Sequence, residues 1–337
     1  MAPRTQEPVG LVGGWGDAPT AGKDPTDDAD GGEYPMRPVV SVVVRTKDRP
    51  AYLRRALVSI ATQTMRDWEC VIVNDGGDPA VVKRVVETLD PDVSQRVTVL
   101  DAPDSRGRWR SANAGVLATS APLLVLHDDD DSWDPDFLER AVAYLDANPD
   151  RVGVVSRIEI VWERRIGDRF VEQRREMFQE HLTAPSLSDA LLFNRFVPIG
   201  FVYRRTLHEE HGLYDDSLPV VGDWAFNLKV LSREELEYLP GGPAVQWRQR
   251  TDSSGVDGNS VIEAGEEHRA TDARIRDAAL REYVTENGLG LVLYLTKFID
   301  QRLVDVENGI RSHLVDVESR MGLIGIARRV RRRFLRR

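Results

Sequence analysis

Apolar residues fall in short blocks along the first half of the chain, separated by stretches in which they recur every three or four positions. Val39–Val44, Cys70–Val73, Val97–Leu100 and Leu123–Leu126 are runs of the first kind. They are too short for helices and predict strands, with Val39–Val44, Cys70–Val73 and Leu123–Leu126 buried within a sheet and Val97–Leu100 a third short strand. Between them, Leu53, Ala56, Leu57 and Ile60 follow Pro50 at helical spacing, with the proline suited to a first turn. Val81, Val82, Val85, Val86 and Leu89 predict a second helix, Ser111–Ala118 a third, and Phe137, Leu138, Ala141 and Leu145 a fourth. Asp134-Pro135 reads as the N-cap and first residue of that fourth helix. Strands alternating with helices in this way predict a parallel sheet built of βαβ units. Polar residues gather where the strands end, the edge at which open α/β sheets bind ligands.

After a strand predicted over Val152–Ile160 the pattern loosens. Residues 161–181 are charged and read as a hairpin or an excursion over the site. Ile199–Tyr203 predicts a strand, Trp224–Leu231 a helix and Ala244–Trp247 a last strand. From about residue 260 the chain turns helical. Ile299, Leu303, Val306, Ile310, Val317, Met321 and Ile324 fall near 3-4 spacing with His313 in the seam, which suits either a dimerising coiled coil or a helix packed on the preceding domain.

Composition narrows the function classes. The 337 residues carry 45 bases and 55 acids, a net charge of −10, which argues against general nucleic-acid binding. The single cysteine, Cys70, excludes an intrachain disulfide and a cysteine-based zinc site. No apolar run approaches the ~18 residues of a transmembrane helix, and no signal-peptide core opens the chain, so a cytoplasmic protein is expected. Charge is uneven: residues 1–36 hold seven acids and two bases without apolar periodicity and read as a disordered leader. Residues 321–337 hold seven arginines and no acid. With Leu323, Ile324, Ile326, Val330, Phe334 and Leu335 they suit an interfacial helix on an anionic membrane, or a solvated basic tail.

The densest chemistry is Asp128–Asp131, directly after a buried strand. Carboxylates packed so tightly repel unless a cation or solvent relieves them. Hard oxygen ligands suit Mg²⁺ or Mn²⁺ with positions left for substrate phosphates; the alternative is a solvated turn capping the next helix. Asp75, before Gly76-Gly77, is either a turn residue or an acceptor for a base or ribose. Arg106, Arg108 and Arg110 precede a helix bearing Asn113 and Gly115 and offer guanidinium groups to phosphate, or are surface charge. Asp223 opens a late helix beside Trp224, as a dipole-favourable acid or a general base next to an apolar wall for a sugar ring. No Gly-x-Gly-x-x-Gly, Walker A or Gly-x-Ser-x-Gly motif is present.

Taken in order, these pieces resemble family 2 glycosyltransferases. Val40–Val44 with Thr46–Pro50 resembles the family's opening strand and turn, Leu57–Thr64 with Trp68-Glu69 the following helix, and Val73-Asn74-Asp75-Gly76 its Asp-Asp-Gly segment. Asn113-Ala114-Gly115 resembles the Asn-x-Gly helix and Asp129–Trp133 the Asp-x-Asp motif. Asn194–Arg205, Gly212–Asp215 and Asp223-Trp224 resemble the later acceptor-side block, so the likeness covers about residues 38–250.

The resemblance implies an α/β fold of the GT-A type, a Rossmann-like nucleotide-binding sheet with helices on both faces, spanning 37–255. A helical region over 256–320, suited to dimerisation, and the basic tail over 321–337 would follow. It implies inverting, non-processive transfer of a sugar from a nucleotide-diphosphate donor to a hydroxyl of a glycan or lipid-linked acceptor, in cell-surface polysaccharide or glycolipid synthesis. A peripheral location on the inner face of the membrane would suit such an acceptor. By position, Asp75 would bind the base, Asp130 the ribose, Asp131 the Mn²⁺ or Mg²⁺ ion, and Asp223 would be the catalytic base. Thr46, Asp48, Arg110, Asn113 and Asp129 would complete the nucleotide-sugar site, with Trp133 and Trp224 on the acceptor side. Three positions depart from the family pattern: Lys47 in place of a stacking aromatic, Gly222 where an acid often precedes the catalytic aspartate, and Arg250 in a stretch where many members carry a histidine near the metal. A catalytically inactive glycan-binding or scaffold protein and a sugar nucleotidyltransferase are the alternatives; the latter would be expected to show a Gly-rich loop where Arg45–Arg49 stands.

Overall fold

The computed structural model describes residues 37–167, 169–250 and 265–334. The leader read over 1–36 lies outside the described residues, as do the side chains that would make the tail amphipathic.

The elements run β1 (Val40–Thr46), α1 (Pro50–Ala61), β2 (Trp68–Asp75), α2 (Pro79–Val86), α3 (Pro91–Ser94), β3 (Val97–Ala102), α4 (Arg108–Leu117), β4 (Leu123–Asp128), β5 (Ser132–Trp133) and α5 (Phe137–Ala147). There follow β6 (Gly153–Val155), β7 (Ile158–Ile166), β8 (Arg169–Met177), α6 (Leu187–Ala190), β9 (Phe201–Arg204), α7 (Thr206–His211), α8 (Gly222–Leu231), β10 (Glu237–Tyr238) and β11 (Val245–Gln249). Two long helices close the described chain, α9 (Gly265–Asn287) and α10 (Gly290–Phe334).

The main sheet has seven strands in the order β10-β6-β9-β4-β1-β2-β3. Strands β1 to β4 are parallel, as the alternating pattern predicts, and β9 inserts antiparallel between β4 and β6. β1 is wholly sandwiched: Val40, Val42, Val43 and Val44 are fully buried, which is why this segment reads as a run and not as an alternation. Its register sets Thr46 opposite Asn74 and Arg45 opposite Asp128, so the ends of β1, β2 and β4 meet along one edge. Helix α4 packs closely on that sheet because Gly115 offers no side chain: a Cβ there would lie 2.2 Å from Val43 Cγ1.

Two predictions are corrected. The strand expected over Val152–Ile160 is two strands, β6 and β7, broken at Ser156-Arg157. Ser156 N–H donates to Gly200 O and its hydroxyl accepts from Ala244 N–H, so the chain leaves the main sheet there and enters a second one. That second sheet, ordered β5-β11-β7-β8, is made largely by the β7–β8 hairpin, one of the two readings of residues 161–181. Asp134 does not cap α5: its carboxylate accepts from Gln246 Nε2 at 2.8 Å. The fully buried Gln63 accepts from Leu138 N–H in its place, so the N-terminus of α5 is satisfied by a residue 75 positions earlier.

Candidate functional site

The strand ends, the loop before α4, the start of α8 and the first turns of α9 enclose a cleft of about 1230 Å³. Thr46, Asp48, Asp75, Asp129, Asp130, Asp223 and Trp224 of the expected residues line it. Arg110, Asn113, Asp131 and Trp133 are not among its lining residues. Arg110 pairs with Asp216 at 3.0 Å, partly exposed to solvent. Asn113 exchanges two hydrogen bonds with the backbone of Tyr214 and so fixes the loop after α7. Trp133 is buried against His127 and Phe137 and donates its indole N–H to Ile199 O. These three hold the walls and do not face the cleft.

Asp75 ends β2 and accepts from Ser105 Oγ (2.9 Å), Arg106 N–H (2.7 Å) and Gly107 N–H (3.2 Å). It thereby ties down the loop whose next residue, Arg108, begins α4 at the cleft wall. Gly76 makes that contact possible: its φ is +75°, and a Cβ there would meet Ser105 N at 2.3 Å. Asp48, itself at φ +52°, accepts from Asp78 N–H and closes the opposite side.

The acidic run is met by arginines. Arg45 pairs with Asp128. Arg49 bridges Asp129 at 3.1 Å and Asp130 at 2.6 Å, while Thr46 donates to the other oxygen of Asp129. Arg250 reaches the same Asp130 oxygen at 2.5 Å and also pairs with Glu163 at 3.2 Å. Glu163, whose side chain is 0% exposed, additionally takes Arg55 and Arg248. The rings and guanidinium groups stack as well: Arg49 and Arg250 each lie 4.6 Å from the centre of the buried Tyr52 ring. Sequence reasoning singled out Arg45 and Arg49 only as part of a turn and passed over Tyr52 and Glu163. The signal was the density of arginine around the β1 end and the β11 end, which only the fold shows to be one place.

Electrostatics follow from this packing. Burial acts to raise the Asp130 carboxyl, but Arg49 and Arg250 hold it well below the usual range. Burial pushes Asp129 up. Burial and then the neighbouring Asp130 and Asp128 push Asp131 up; its carboxylate accepts from the Arg248 N–H at 2.8 Å. His127, fully buried, is pushed down to about 4 by burial and serves as packing for Trp133. Asp223 is pushed up by burial, although Arg45 and Arg108 pull the other way. Asn194 Nδ2 donates to its carboxylate at 2.7 Å, and Asn227 orients Asn194 in turn. Gly222, the first residue of α8, is required by Trp109: a Cβ there would stand 2.7 Å from the indole. That close approach explains the departure at this position.

The residues do not fit a divalent ion at Asp131. It does not line the cleft, and Asp130, which does, has one oxygen already shared by two guanidinium groups. Among the described residues, one group brings three carboxylate or imidazole donors within 4.8 Å of one another: Glu210, His211 and Glu234, none of which lines the cleft.

On the far side, Phe178, Phe193, Trp224 and Trp247 offer apolar surface. Helix α9 adds His268, Arg269 and Asp272 to the lining. It is anchored by Arg276, which donates to Leu191 O and Leu192 O and stacks 5.0 Å from the Trp224 ring centre. The helical region expected to begin a separate unit at 256 thus contributes to the cleft.

Comparison with known proteins agrees with this architecture. A match to the family described as "Glycosyl transferase family 2" spans residues 41–212. An uncharacterized glycosyltransferase, YwdF of Bacillus subtilis, is 32% identical over 202 residues, covering 60% of this chain and 71% of that protein. A PGL/p-HBAD biosynthesis glycosyltransferase of Mycobacterium tuberculosis is 29% identical over 201 residues, covering 59% and 72%. An uncharacterized glycosyltransferase of Haemophilus influenzae is 26% identical, and the match covers 59% of its length. Among solved structures, S. aureus TarS 1–349 in complex with UDP-GlcNAc superposes with a TM-score of 0.51 at 18% identity over 75% of both chains, a likeness of fold.

Proposed function

The chain belongs to glycosyl transferase family 2, and from that premise we propose that its cleft binds a nucleoside-diphosphate sugar and transfers the sugar to an acceptor hydroxyl with inversion. A nucleotide sugar is the class of ligand in the TarS structure of like fold. The observation that carries the reading is Asp223. It is a half-buried carboxylate whose pKa is raised by desolvation, at the start of α8, in the same cleft as the arginines and beside the apolar wall of Trp224. A single displacement needs a base for the incoming hydroxyl and stabilisation of the leaving diphosphate. The acceptor oxygen forms its bond to the anomeric carbon as the carbon–oxygen bond to the diphosphate breaks. The bonding pair leaves with the diphosphate, and the hydroxyl proton passes to an Asp223 oxygen.

Asp75 and Asp48 stand on the side proposed for the nucleoside, and Asp130, oriented by Arg49 and Arg250, on the ribose side. Arg45, Arg49, Arg108 and Arg248 line the part proposed for the diphosphate. The acceptor is proposed to be glycan or lipid-linked and to enter past Phe193, Trp224 and α9. No helix among the described residues is long and apolar enough to cross a membrane. The basic C-terminal tail, with seven arginines over 321–337, is proposed to hold the protein to an anionic membrane face.

The test is release of nucleoside diphosphate from a panel of UDP-, GDP- and dTDP-sugars with a glycan or glycolipid acceptor mixture. One donor class is expected to turn over. Asp223→Asn is expected to lower the rate by about 10²–10⁴-fold while keeping donor affinity within about a factor of three, the range expected for loss of a general base. Equal rates for both proteins would remove Asp223 from the chemistry.

A further inference from the structure

We infer that guanidinium groups, and not a divalent cation, neutralise the diphosphate in this protein. The inference rests on the nucleoside-diphosphate reading above and concerns how that site handles charge.

The argument starts from Asp130. A divalent ion bridging a carboxylate to a diphosphate needs an oxygen free to ligate it. Here Oδ2 of Asp130 accepts from both Arg49 Nη2 and Arg250 Nη2, at 2.6 and 2.5 Å. Neither arginine is a loose surface group. Arg250 is 1% exposed and is pinned at its other end by Glu163; Arg49 is pinned by Asp129, and both lie against Tyr52. A cation placed on that oxygen would sit against two fixed positive charges. Asp129 is taken by Thr46 and Arg49, and Asp128 by Arg45. Three acids of the run, Asp128, Asp129 and Asp130, are therefore anchors for arginine side chains, while Asp131 accepts from the Arg248 N–H.

The second half of the argument is the set of guanidinium groups along the cleft. Arg45 and Arg49 line the cleft beside the acidic run, and the guanidinium groups that hold Asp128, Asp129 and Asp130 thereby stand at its wall. Arg108 and Arg248 line it as well, with Lys47 at the rim. A site lined by several guanidinium groups fits a diphosphate, whose oxygens accept in the planar geometry arginine offers. When the bond to the anomeric carbon breaks, the added negative charge falls on the diphosphate oxygen facing these groups. Arg250 does not line the cleft; it is a positioning residue that holds Asp130 and occupies the place of a cation.

The experiment is thermal unfolding and titration calorimetry of the full chain with UDP, GDP, dTDP and inorganic pyrophosphate. Each is measured in EDTA and again in excess MnCl₂ or MgCl₂. At least one nucleotide is expected to stabilise the protein in EDTA, with Kd unchanged within about threefold on adding metal. Pyrophosphate is expected to bind in EDTA as well, more weakly. Arg108→Gln and Arg248→Gln are each expected to weaken binding in EDTA at least about tenfold, with Arg108→Lys recovering part of it. Binding that appears only with metal would overturn the inference and leave the donor reading standing. So would metal-free binding that neither arginine variant weakens. No binding under either condition would overturn both.

Discussion

At the scale of single residues, the account turns on Asp223 and the glycine before it. The Asp223 carboxyl must be ionised to take a proton, and burial raises its pKa. kcat/KM is therefore predicted to fall toward acid along a limb that lies above the ordinary carboxylate range, and Asp223→Asn to lose that limb along with its rate. A profile flat to below pH 5 in the wild type would contradict the assignment. Gly222→Ala is predicted to destabilise by about 1–3 kcal/mol in urea unfolding, because its methyl group must displace the buried Trp109 indole. Much of this scale was legible in the sequence: Asp48, Asp75, Asp130 and Asp223 each follow a strand or open a helix, and the fold brings all four to one cleft. Trp133 and Asn113 misled because an aromatic and an amide beside polar motifs look available, whereas both are consumed by hydrogen bonds to distant backbone. Four adjacent aspartates look equivalent in a sequence, yet the fourth, Asp131, is not among the lining residues and its carboxylate accepts from the Arg248 N–H.

At the scale of elements, the β7–β8 hairpin and β11 carry what the sequence left unread. Glu163 on β7 gathers Arg55 from α1, Arg248 from β11 and Arg250 just beyond it, a convergence of segments 108 and 87 positions apart. No local pattern announces such a cluster; a lone glutamate in a charged strand reads as surface. Removing the carboxylate charge takes one ionic partner from each of three guanidinium groups around a fully buried side chain. Glu163→Gln is accordingly predicted to cost about 3–5 kcal/mol of stability, measured by chemical denaturation, and to lower nucleotide affinity through the loss of Arg250's anchor. A change under about 1 kcal/mol would show that the cluster is solvated in solution. The buried parallel strands were legible because burial on both faces leaves an apolar run. The break between β6 and β7 was not, since apolar residues flank the Ser156-Arg157 pair on both sides and the reason for the break, pairing with Gly200 and Ala244, lies far along the chain.

At the scale of the whole molecule, α10 is the outstanding feature. Its 45 residues extend about 68 Å at 1.5 Å per residue. Ile299, Leu303, Val306 and Ile310 on it are more than half exposed, so the alternative of packing on the catalytic domain does not hold for this stretch. We propose that this stripe pairs with a second copy of the chain as a parallel coiled coil. With Leu303 and Ile310 at one core position and Ile299, Val306 and His313 at the other, Arg302 of each helix falls opposite Glu307 of its partner, a complementary pair on both flanks of the seam. Sedimentation is predicted to give a dimer for the full chain and a monomer for Leu303→Glu with Ile310→Glu, with the catalytic unit's melting temperature unchanged. A wild-type monomer at all concentrations would refute the pairing.

The most direct test of the central claim, a diphosphate cleft that works through arginine and Asp223, is a crystal structure of the wild-type protein grown in MnCl₂ with the nucleotide that stabilises it best. The account predicts the nucleoside beside Asp48 and Asp75, the diphosphate against Arg108 and Arg248, Asp130 still held by Arg49 and Arg250, and no cation between Asp130 and the phosphates. A metal bridging Asp130 to the diphosphate, with Arg250 swung away, would contradict it.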